Sequence, residues 1–297
     1  MDFLSAFLQY FFSGVANGSI YILIALGFNI IYNATGIINL AQGEFSVLGG
    51  FVMYTLSVKW NIPVPLAFLL TVLVVGTVGG LFERTAINPL KKPTVITLII
   101  ITIGGSILLR GISMNIWGKY PLFVPQFSSA GPIKIMDAVI QVHTIWILGI
   151  TAVVVSLLYL FFEKTITGKA MRACSEDREA SQLMGINVSW IVFLSFVLSA
   201  ALGGVAGLVY TPMASMQYSM GAILGLKGFI TSILGGLGNS MGAVMAGLLL
   251  GLFETFSAAY ISSVYKEPIT LALLLIVLFV RPSGILGRSD VARLKEF

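Results

Sequence analysis

The chain has 297 residues, of which 57% are hydrophobic and 10% are charged, and its mean hydropathy is +0.98. This composition excludes a water-soluble globular fold for the whole chain. At roughly 20 residues per spanning helix, the apolar content leaves room for on the order of eight membrane spans. The apolar stretches are long continuous runs, which favours helices over the short alternating segments of a β-barrel. The predicted fold class is therefore an all-α, polytopic helical membrane protein.

The net charge of +5 does not indicate a nucleic-acid partner, because the basic residues are scattered between apolar runs and form no stripe. His143 and Cys174 are the only residues of their types, so a His/Cys metal cluster cannot be built and no metal is expected. The only Gly-Lys pair, Gly168-Lys169, is followed by alanine, so the sequence has no phosphate-binding loop. Since a nucleophile elbow is also missing, no catalytic residue is predicted and an enzyme is disfavoured.

Apolar runs between breaker clusters predict eight or nine spanning helices in one transmembrane domain over residues 1–297. The predicted spans lie near residues 8–31, 38–58, 64–82, 94–112, 143–162, 189–210, 221–237, 241–262 and 268–281. The count depends on the glycine-rich region around 221–240, where the chain is expected either to cross or to break and re-enter. Irregular backbone at membrane depth requires protein or water to satisfy its polar groups.

The first polar cluster inside a predicted span is the sequence NLAQGEF, which contains Asn39, Gln42, Gly43 and Glu44. If the helix starts near residue 38, Glu44 lies about 9 Å along it. An ionised side chain at mid-membrane costs about 2.5–3.5 kcal/mol, so this cluster is expected to face the bundle interior. It either lines a path through the membrane or connects helices by hydrogen bonds.

Two other charged residues lie inside predicted spans. Glu254 is the second acidic candidate for a translocation path. Arg110 is placed near the outer end of its span, where it can extend to the surface, and is given no role. Glycines at four-residue spacing, such as Gly14/Gly18 and Gly247/Gly251, predict close helix packing.

The positions of Lys and Arg predict the orientation of the bundle. Eleven of the 17 basic residues fall in segments 83–93 and 163–188 and in the C-terminal end, which includes a tail over 282–297. These segments are placed in the cytoplasm. The segment 113–142 contains only Lys119 and Lys134 and is placed outside as a hairpin-like cap. This outer loop is either a docking surface for an external partner or a connector.

The inner loop 163–188 predicts a short capped cytosolic helix. Ser175 is the expected N-cap, Glu176 and Asp177 lie in its first turn, and Gly185 ends it. The residues that recur on one apolar face are Ala180, Leu183 and Met184. This face is expected to bury itself either against the chain's own helix ends or in a groove on a cytosolic partner.

Four segments in the same order resemble one known family. They are GSIYILIALGFNIIYNATGIINLAQGEF (18–45), GKAMRACSEDREASQLMGI (168–186), GLKGFITSILGGLGNSMGAVMAGLLLG (225–251) and RPSGILG (281–287). Together they resemble the permease subunits of branched-chain amino acid ABC importers, of the LivH type. The resemblance extends over nearly the whole chain.

The resemblance implies a multi-pass permease of a prokaryotic cell (inner) membrane that works by alternating access. It implies three kinds of partner: a second permease of the LivM type, two cytosolic ATP-binding subunits and an extracytoplasmic binding protein. No cofactor is expected on this chain, since ATP and Mg would bind to the ATPase subunits. It also implies that the inner loop docks on an ATPase and that the stretch 39–44 helps to form the path. The expected coupling residues are Gly168, Arg172, Ala173, Ser175, Glu176, Asp177, Ala180, Leu183, Met184 and Gly185.

Three alternatives remain open from the sequence. The first is a urea or short-chain amide ABC importer permease. The second is a stand-alone, ion-coupled secondary transporter in which Glu44 and Glu254 bind or relay ions. The third is a structural or assembly subunit.

Overall fold

The computed structural model describes residues 3–90, 94–128, 131–135 and 138–287. The tail 282–297 was placed in the cytoplasm, and all of it beyond residue 287 lies outside the described residues, as do Lys91 and Lys92. The helices are α1 (Phe3–Thr35), α2 (Gln42–Tyr54), α3 (Val64–Phe82), α4 (Val95–Trp117), α5 (Val142–Lys164), α6 (Ile166–Glu176), α7 (Arg178–Leu183), α8 (Val188–Tyr210), α9 (Met220–Gly235), α10 (Ser240–Tyr260) and α11 (Lys266–Val280).

Short elements extend or connect these helices. α2 and α3 each continue into a π-helical turn, Thr55–Lys59 and Glu83–Ile87, and a 3-10 turn, Ser263–Tyr265, precedes α11. Between α4 and α5, strands β1 (Ile133–Ile135) and β2 (Ala138–Ile140) pair antiparallel. The predicted hairpin in the outer loop is therefore present.

Seven helices in the described part of the chain are long and apolar enough to cross a membrane: α1, α3, α4, α5, α8, α10 and α11. α9 is apolar but has 16 residues, and α2 has 13. The all-α fold is confirmed, and these nine helices agree with the predicted eight or nine. Within the predicted spans 38–58 and 221–237, the helices begin at Gln42 and Met220, and the first turn of each contains buried residues.

The bundle is built around α1 and α8. In the most apolar 18-residue stretch of each helix, 89% of the residues are buried in α1 and 72% in α8. The corresponding shares are 17% in α4, 11% in α5 and 6% in α11. A helix that is apolar on all sides and buried on all sides forms the core of a membrane bundle, whereas one that is apolar but exposed faces lipid or another subunit. α1 and α8 are therefore central, and α4, α5 and α11 are peripheral.

Glycine lets the central helices touch backbone to backbone. A Cβ atom on Gly18 of α1 would lie 2.5 Å from the carbonyl oxygen of Gly247 in α10, and one on Gly207 of α8 would lie 1.7 Å from the carbonyl oxygen of Ser46 in α2. No other side chain fits at such distances, so these residues set the spacing of the helices. The close packing predicted from glycine spacing is present.

Contacts between loops show which segments share an end of the bundle. At one end, Asn33 donates to the Gly238 carbonyl oxygen (2.9 Å) and Ser189 lies 3.3 Å from Asn88. At the other end, Leu122 and Met216 form a two-way backbone bridge. The end that contains residues 33–40, 83–90, 164–188 and 236–240 also contains most of the described Lys and Arg residues outside the membrane. The predicted cytoplasmic segments therefore share one end, called the basic end below.

We predict opposite effects for two Gly-to-Ala substitutions. G207A places a methyl group against the α2 backbone and should destabilise the bundle by about 2 kcal/mol, the typical cost of overpacking. G104A is its control, because no atom lies within 4 Å of a Cβ there and alanine favours a helix. Thermal unfolding of the detergent-solubilised protein measures both. Equal thermal stability of the two variants would contradict the packing argument.

Candidate functional site

The start of α2 lies deep in the bundle and is held there by side chains. Gln42 is the first residue of α2, and Ser199 is the middle residue of α8. The side-chain nitrogen Nε2 of Gln42 donates to the backbone carbonyl oxygen of Ser199 (3.0 Å). The Ser199 hydroxyl lies 2.6 Å from Gln42 Oε1 and 2.8 Å from the Gly27 carbonyl oxygen. Asn39 precedes the helix, and its Oδ1 accepts a hydrogen bond from the Ala41 amide (3.1 Å). The polar cluster predicted at 39–44 therefore connects α1, α2 and α8.

The first turn of α9 meets the first turn of α2 at the same depth. A Cβ atom on Gly43 would lie 1.9 Å from the carbonyl oxygen of Gly221 and 2.8 Å from the Gly225 backbone. From this crossing, α2 runs to the end of the bundle opposite the basic end. There the Trp117 indole donates to the Thr55 hydroxyl (2.7 Å). α9 runs the opposite way and ends against α10 at the basic end. Two short helices that begin inside a bundle are a common way for transporters to build a site near the middle of the membrane.

Glu44 extends from this crossing and forms an ion pair with Arg110 of α4. Its Oε1 accepts hydrogen bonds from Arg110 Nη2 (2.7 Å), Arg110 Nε (3.2 Å) and the Ser106 hydroxyl (3.1 Å). Arg110 was expected to extend to the surface and was given no role, but its guanidinium pairs with Glu44. That expectation assumed that α2 begins at the membrane surface. Because α2 begins deep in the bundle, Glu44 lies far enough out to reach Arg110.

Several polar atoms at this crossing are buried without a hydrogen-bond partner among the described residues. They are Glu44 Oε2, Asn39 Nδ2 and Ser46 Oγ. The Glu44 side chain is 2% exposed, and its Oε2 lies against the Cα of Gly221, where a Cβ atom would be 2.3 Å away. Buried polar atoms are rarely left unpaired. The crossing therefore has unused hydrogen-bonding capacity.

Glu254 belongs to a second, separate charge cluster. Its Oε1 is bonded to Nζ of Lys227 in α9 and lies 2.8 Å from Nζ of Lys266, which begins α11. Lys227 also pairs with Glu267 (2.9 Å). The Glu254 side chain is fully buried and shares no partner with Glu44. Sequence reasoning missed Lys227. A lysine inside one predicted span and a glutamate inside the next were a usable signal for an ion pair.

The inner loop forms two helices, α6 and α7, where the sequence analysis predicted one. Asp177 caps α7, because its carboxylate accepts a hydrogen bond from the Ala180 amide (2.9 Å). The prediction of Ser175 as the N-cap is wrong: Ser175 lies in the last turn of α6 and donates back to the Arg172 carbonyl oxygen (2.7 Å). Ser175 and Asp177 are both residue types that cap helices, and they lie two positions apart. The backbone is extended at Asp177, so the new helix begins after Asp177 and not after Ser175. Gly185, with φ +85°, ends the segment as predicted.

The apolar face predicted on this segment is present and uncovered. Leu183 is 88% exposed, Met184 is 84% exposed, and Ala180 is also exposed. An exposed apolar patch with polar residues around it is typical of an interaction site. Of the two predicted arrangements, burial against the chain's own helix ends does not occur among the described residues. We call Ala180, Leu183 and Met184 the coupling surface, after the role that the sequence predicts for them.

The other predicted coupling residues support this surface. Gly168 packs on the end of α5, since a Cβ atom there would lie 2.2 Å from the Phe161 carbonyl oxygen. Arg172 pairs with Glu163 (2.8 Å), and Ala173 is exposed. These contacts fix α6 to the end of α5.

Arg178 joins α7 to the central helix. Its Nη2 donates to the Ala34 carbonyl oxygen (2.6 Å), in the last turn of α1. Burial lowers the pKa of the Arg178 guanidinium from its usual range, but an arginine still stays charged at neutral pH. A cation at a helix C-terminus is favourable because it faces the negative end of the dipole. Sequence reasoning missed this contact, which no local pattern encodes.

The two residues considered as metal ligands have other partners. His143 Nε2 lies 2.9 Å from the Val209 carbonyl oxygen, and Cys174 is a buried free thiol. Within the described ranges, no three His, Cys, Asp or Glu side chains gather as a metal site.

Comparison with known proteins identifies the family. The family model described as "Branched-chain amino acid transport system / permease component" matches residues 10–279. The chain belongs to this family. It is 33% identical to the high-affinity branched-chain amino acid transport system permease protein LivH of Escherichia coli (strain K12), covering 97% of each chain. It is 35% identical to the corresponding protein BraD of Pseudomonas aeruginosa, covering 97% of this chain and 98% of the relative.

A more distant relative extends the comparison to an archaeon. The probable branched-chain amino acid transport permease protein LivH of Methanocaldococcus jannaschii is 32% identical over 93% of this chain and 90% of its own length. No solved structure matches the chain. Membership of the family confirms the interpretation as a multi-pass membrane permease component and not an enzyme.

The position of the α7 cap in this permease is testable. D177A removes the side-chain acceptor of the Ala180 amide and should weaken α7 by about 1 kcal/mol, the usual cost of losing an N-cap. Hydrogen exchange of the amides at 178–185 should become faster. S175A is the matched control and should leave this exchange unchanged, because Ser175 caps no helix. Faster exchange in S175A alone would support the original placement of the cap.

Proposed function

We propose that this chain is the permease subunit of an ATP-driven importer that carries branched-chain amino acids across the cell membrane by alternating access. The observation that carries the proposal is the match to LivH and BraD over nearly the full length of each protein. Both relatives are named for high-affinity transport of branched-chain amino acids. This favours branched-chain amino acids over urea or amides as substrates.

A permease component of such a system works with an ATPase and a binding protein. We propose the finer assembly of two cytosolic ATP-binding subunits, one extracytoplasmic binding protein and a second permease of the LivM type. The exposed apolar faces of α4, α5 and α11 support the second permease, since exposed apolar helices in a bundle face lipid or another subunit. ATP and Mg would bind to the ATPase subunits.

The coupling surface is proposed to dock into an ATPase groove. It has the form of a helix end whose apolar residues enter a partner's groove while charged residues surround it. The predicted coupling residues Glu176, at the end of α6, and Asp177, between α6 and α7, precede it in the chain. Docking would cover the large apolar side chains that the chain itself leaves exposed.

Arg178 provides a direct route from this docking point to the translocation path. Its hydrogen bond to Ala34 ties α7 to the end of α1, and six residues after α1 the chain enters α2 at Gln42. A displacement of α7 would therefore act on the segment that holds the polar crossing. Asn39, Gln42, Gly43 and Glu44 are the proposed path residues at this crossing.

Glu254 stays a predicted path residue of a different kind. In this conformation two lysines enclose its carboxylate, so it would join the path only in another state of the cycle. The secondary-transporter alternative needs Glu44 and Glu254 to exchange ions freely. One oxygen of each carboxylate is already paired with basic side chains, and the family favours the importer.

Affinity purification from native membranes in mild detergent tests the proposed function. We expect a second permease and an ATP-binding subunit to copurify, and the complex to hydrolyse ATP. With the cognate binding protein, reconstituted vesicles should take up leucine, isoleucine and valine but not urea. Recovery of this chain alone after crosslinking, without ATPase activity, would contradict the proposal.

The coupling surface is tested by M184D. A carboxylate in an apolar groove is unpaired and costly to bury, so uptake should be abolished while the protein is still inserted and abundant. M184L is the matched control and should retain uptake, because leucine conserves the apolar volume. Normal uptake by well-expressed M184D would disprove the docking role.

A further inference from the structure

The Glu44–Arg110 pair lies at an edge of the bundle, not in its closed core. The Glu44 carboxylate is between Arg110 and Ser106 of α4 on one side and Gly221 of α9 on the other. Glu44 is 2% exposed, but the Arg110 side chain is 34% exposed. An arginine exposed to lipid at this depth is costly. The edge between α4 and α9 is therefore expected to face water or a partner subunit.

The ion pair has both an unused hydrogen-bond donor and an unused hydrogen-bond acceptor. Both Arg110 nitrogens that donate to Glu44 use the same oxygen, Oε1, so Nη1 of the planar guanidinium is left for another acceptor. Glu44 Oε2 has no partner among the described residues and can accept from another donor. A structural salt bridge in a dry interior is normally stable only if its remaining lone pairs and protons are satisfied. This one leaves an unpartnered acceptor, Glu44 Oε2, buried against Gly221, and an uncommitted donor edge on the partly exposed Arg110.

An α-amino acid has the complementary pair of groups. Its ammonium donates hydrogen bonds, its carboxylate accepts them, and one carbon separates the two. The surroundings also suit a hydrocarbon side chain, since Ile107 on α4 is 66% exposed and Ile223 on α9 is 50% exposed. The second cluster in the membrane also has an unpartnered carboxylate oxygen, Glu254 Oε2, but its cations are lysines, and the buried Lys227 already pairs with both Glu254 and Glu267.

We propose that Glu44 and Arg110 form a transient binding site for the amino-acid zwitterion as it crosses the membrane, with Glu44 Oε2 accepting from the ammonium and the free edge of Arg110 donating to the carboxylate. This inference rests on the proposed function and names the site at which that substrate is held. The pair keeps its own contact at Oε1, so the site stays neutral when it is empty. A neutral site that is weakly occupied suits transport, because the substrate must also leave.

The test measures substrate binding to the complex in lipid nanodiscs without the external binding protein. The probes are radiolabelled leucine and two competitors of similar shape: 3-methylbutylamine, which lacks the carboxylate, and 4-methylpentanoate, which lacks the ammonium. R110Q should weaken leucine binding about tenfold or more, as loss of a charge-assisted hydrogen bond predicts, but should leave the amine's binding nearly unchanged. E44Q should show the converse pattern, with the binding of 4-methylpentanoate retained.

Two further variants keep the result interpretable. E44Q/R110Q leaves no unpaired charge and guards against misfolding of the single variants; it should assemble normally and lose selectivity for the zwitterion. E83Q is the matched control, since Glu83 is also buried and has an unpartnered Oε2, but its nearest arginine nitrogen, on Arg84, is 3.9 Å away. E83Q should bind all three probes like the wild type.

The outcomes separate the site from the transport function. Equal weakening of leucine and both analogues in R110Q and E44Q would show a merely structural ion pair and overturn the inference. So would leucine uptake by a wild-type complex that binds no leucine without its binding protein. If the wild-type complex hydrolyses ATP but imports no branched-chain amino acid, the proposed function itself fails, and the site inference falls with it.

Discussion

A helix that begins inside a membrane must have its first backbone groups satisfied by protein, because the hydrocarbon region supplies no water. The architecture of this permease depends on how that constraint is met at Gln42. Its side chain is hydrogen-bonded to Ser199 at the middle of α8, and it fits there because Gly27 of α1 has no Cβ atom; one would lie 2.1 Å from Gln42 Nε2. The two central helices therefore fix the depth at which α2 starts.

Two kinds of force hold the remaining helices to this centre. α2 and α10 pack against α8 and α1 through glycine contacts at backbone distance, where dispersion over many atoms stabilises the association. α4 and α11 bury little surface, and each is attached by charged side chains: α4 through Arg110, α11 through Lys266 and Glu267. Helices that are attached by a few polar side chains can shift with less repacking than helices whose backbones are in direct contact. The peripheral helices are therefore the ones that could shift with the least repacking.

The two regions that we propose as functional are separate in space but are connected through one element. The coupling surface lies at the basic end, and the polar crossing lies within the bundle. α1 joins them, because Arg178 contacts its last turn and the chain leaves that turn for α2. A buried, closely packed helix is a suitable rigid connector, since packed cores shift between discrete arrangements and do not deform continuously. In the proposed mechanism, ATP-driven movement outside the chain would reach the path through this connection.

Several features of this protein were predictable from the sequence by itself because their signals are local. Long apolar runs predicted the helices, clustered Lys and Arg predicted which loops share an end, and glycine spacing predicted close packing. The position of the inner coupling segment and its apolar face at Leu183 and Met184 followed from helical periodicity.

What only the tertiary structure decided is the depth and the pairing of polar residues. The start of α2 at Gln42, the Arg110 contact of Glu44, the Lys227 contact of Glu254 and the Arg178 contact of Ala34 all join residues far apart in the chain. Hydropathy measures whether a segment prefers lipid. It does not indicate the depth in the membrane at which a helix begins, or which neighbouring residues its polar side chains contact. Those are set by backbone packing among several helices, and so the site could be placed only after the helices were.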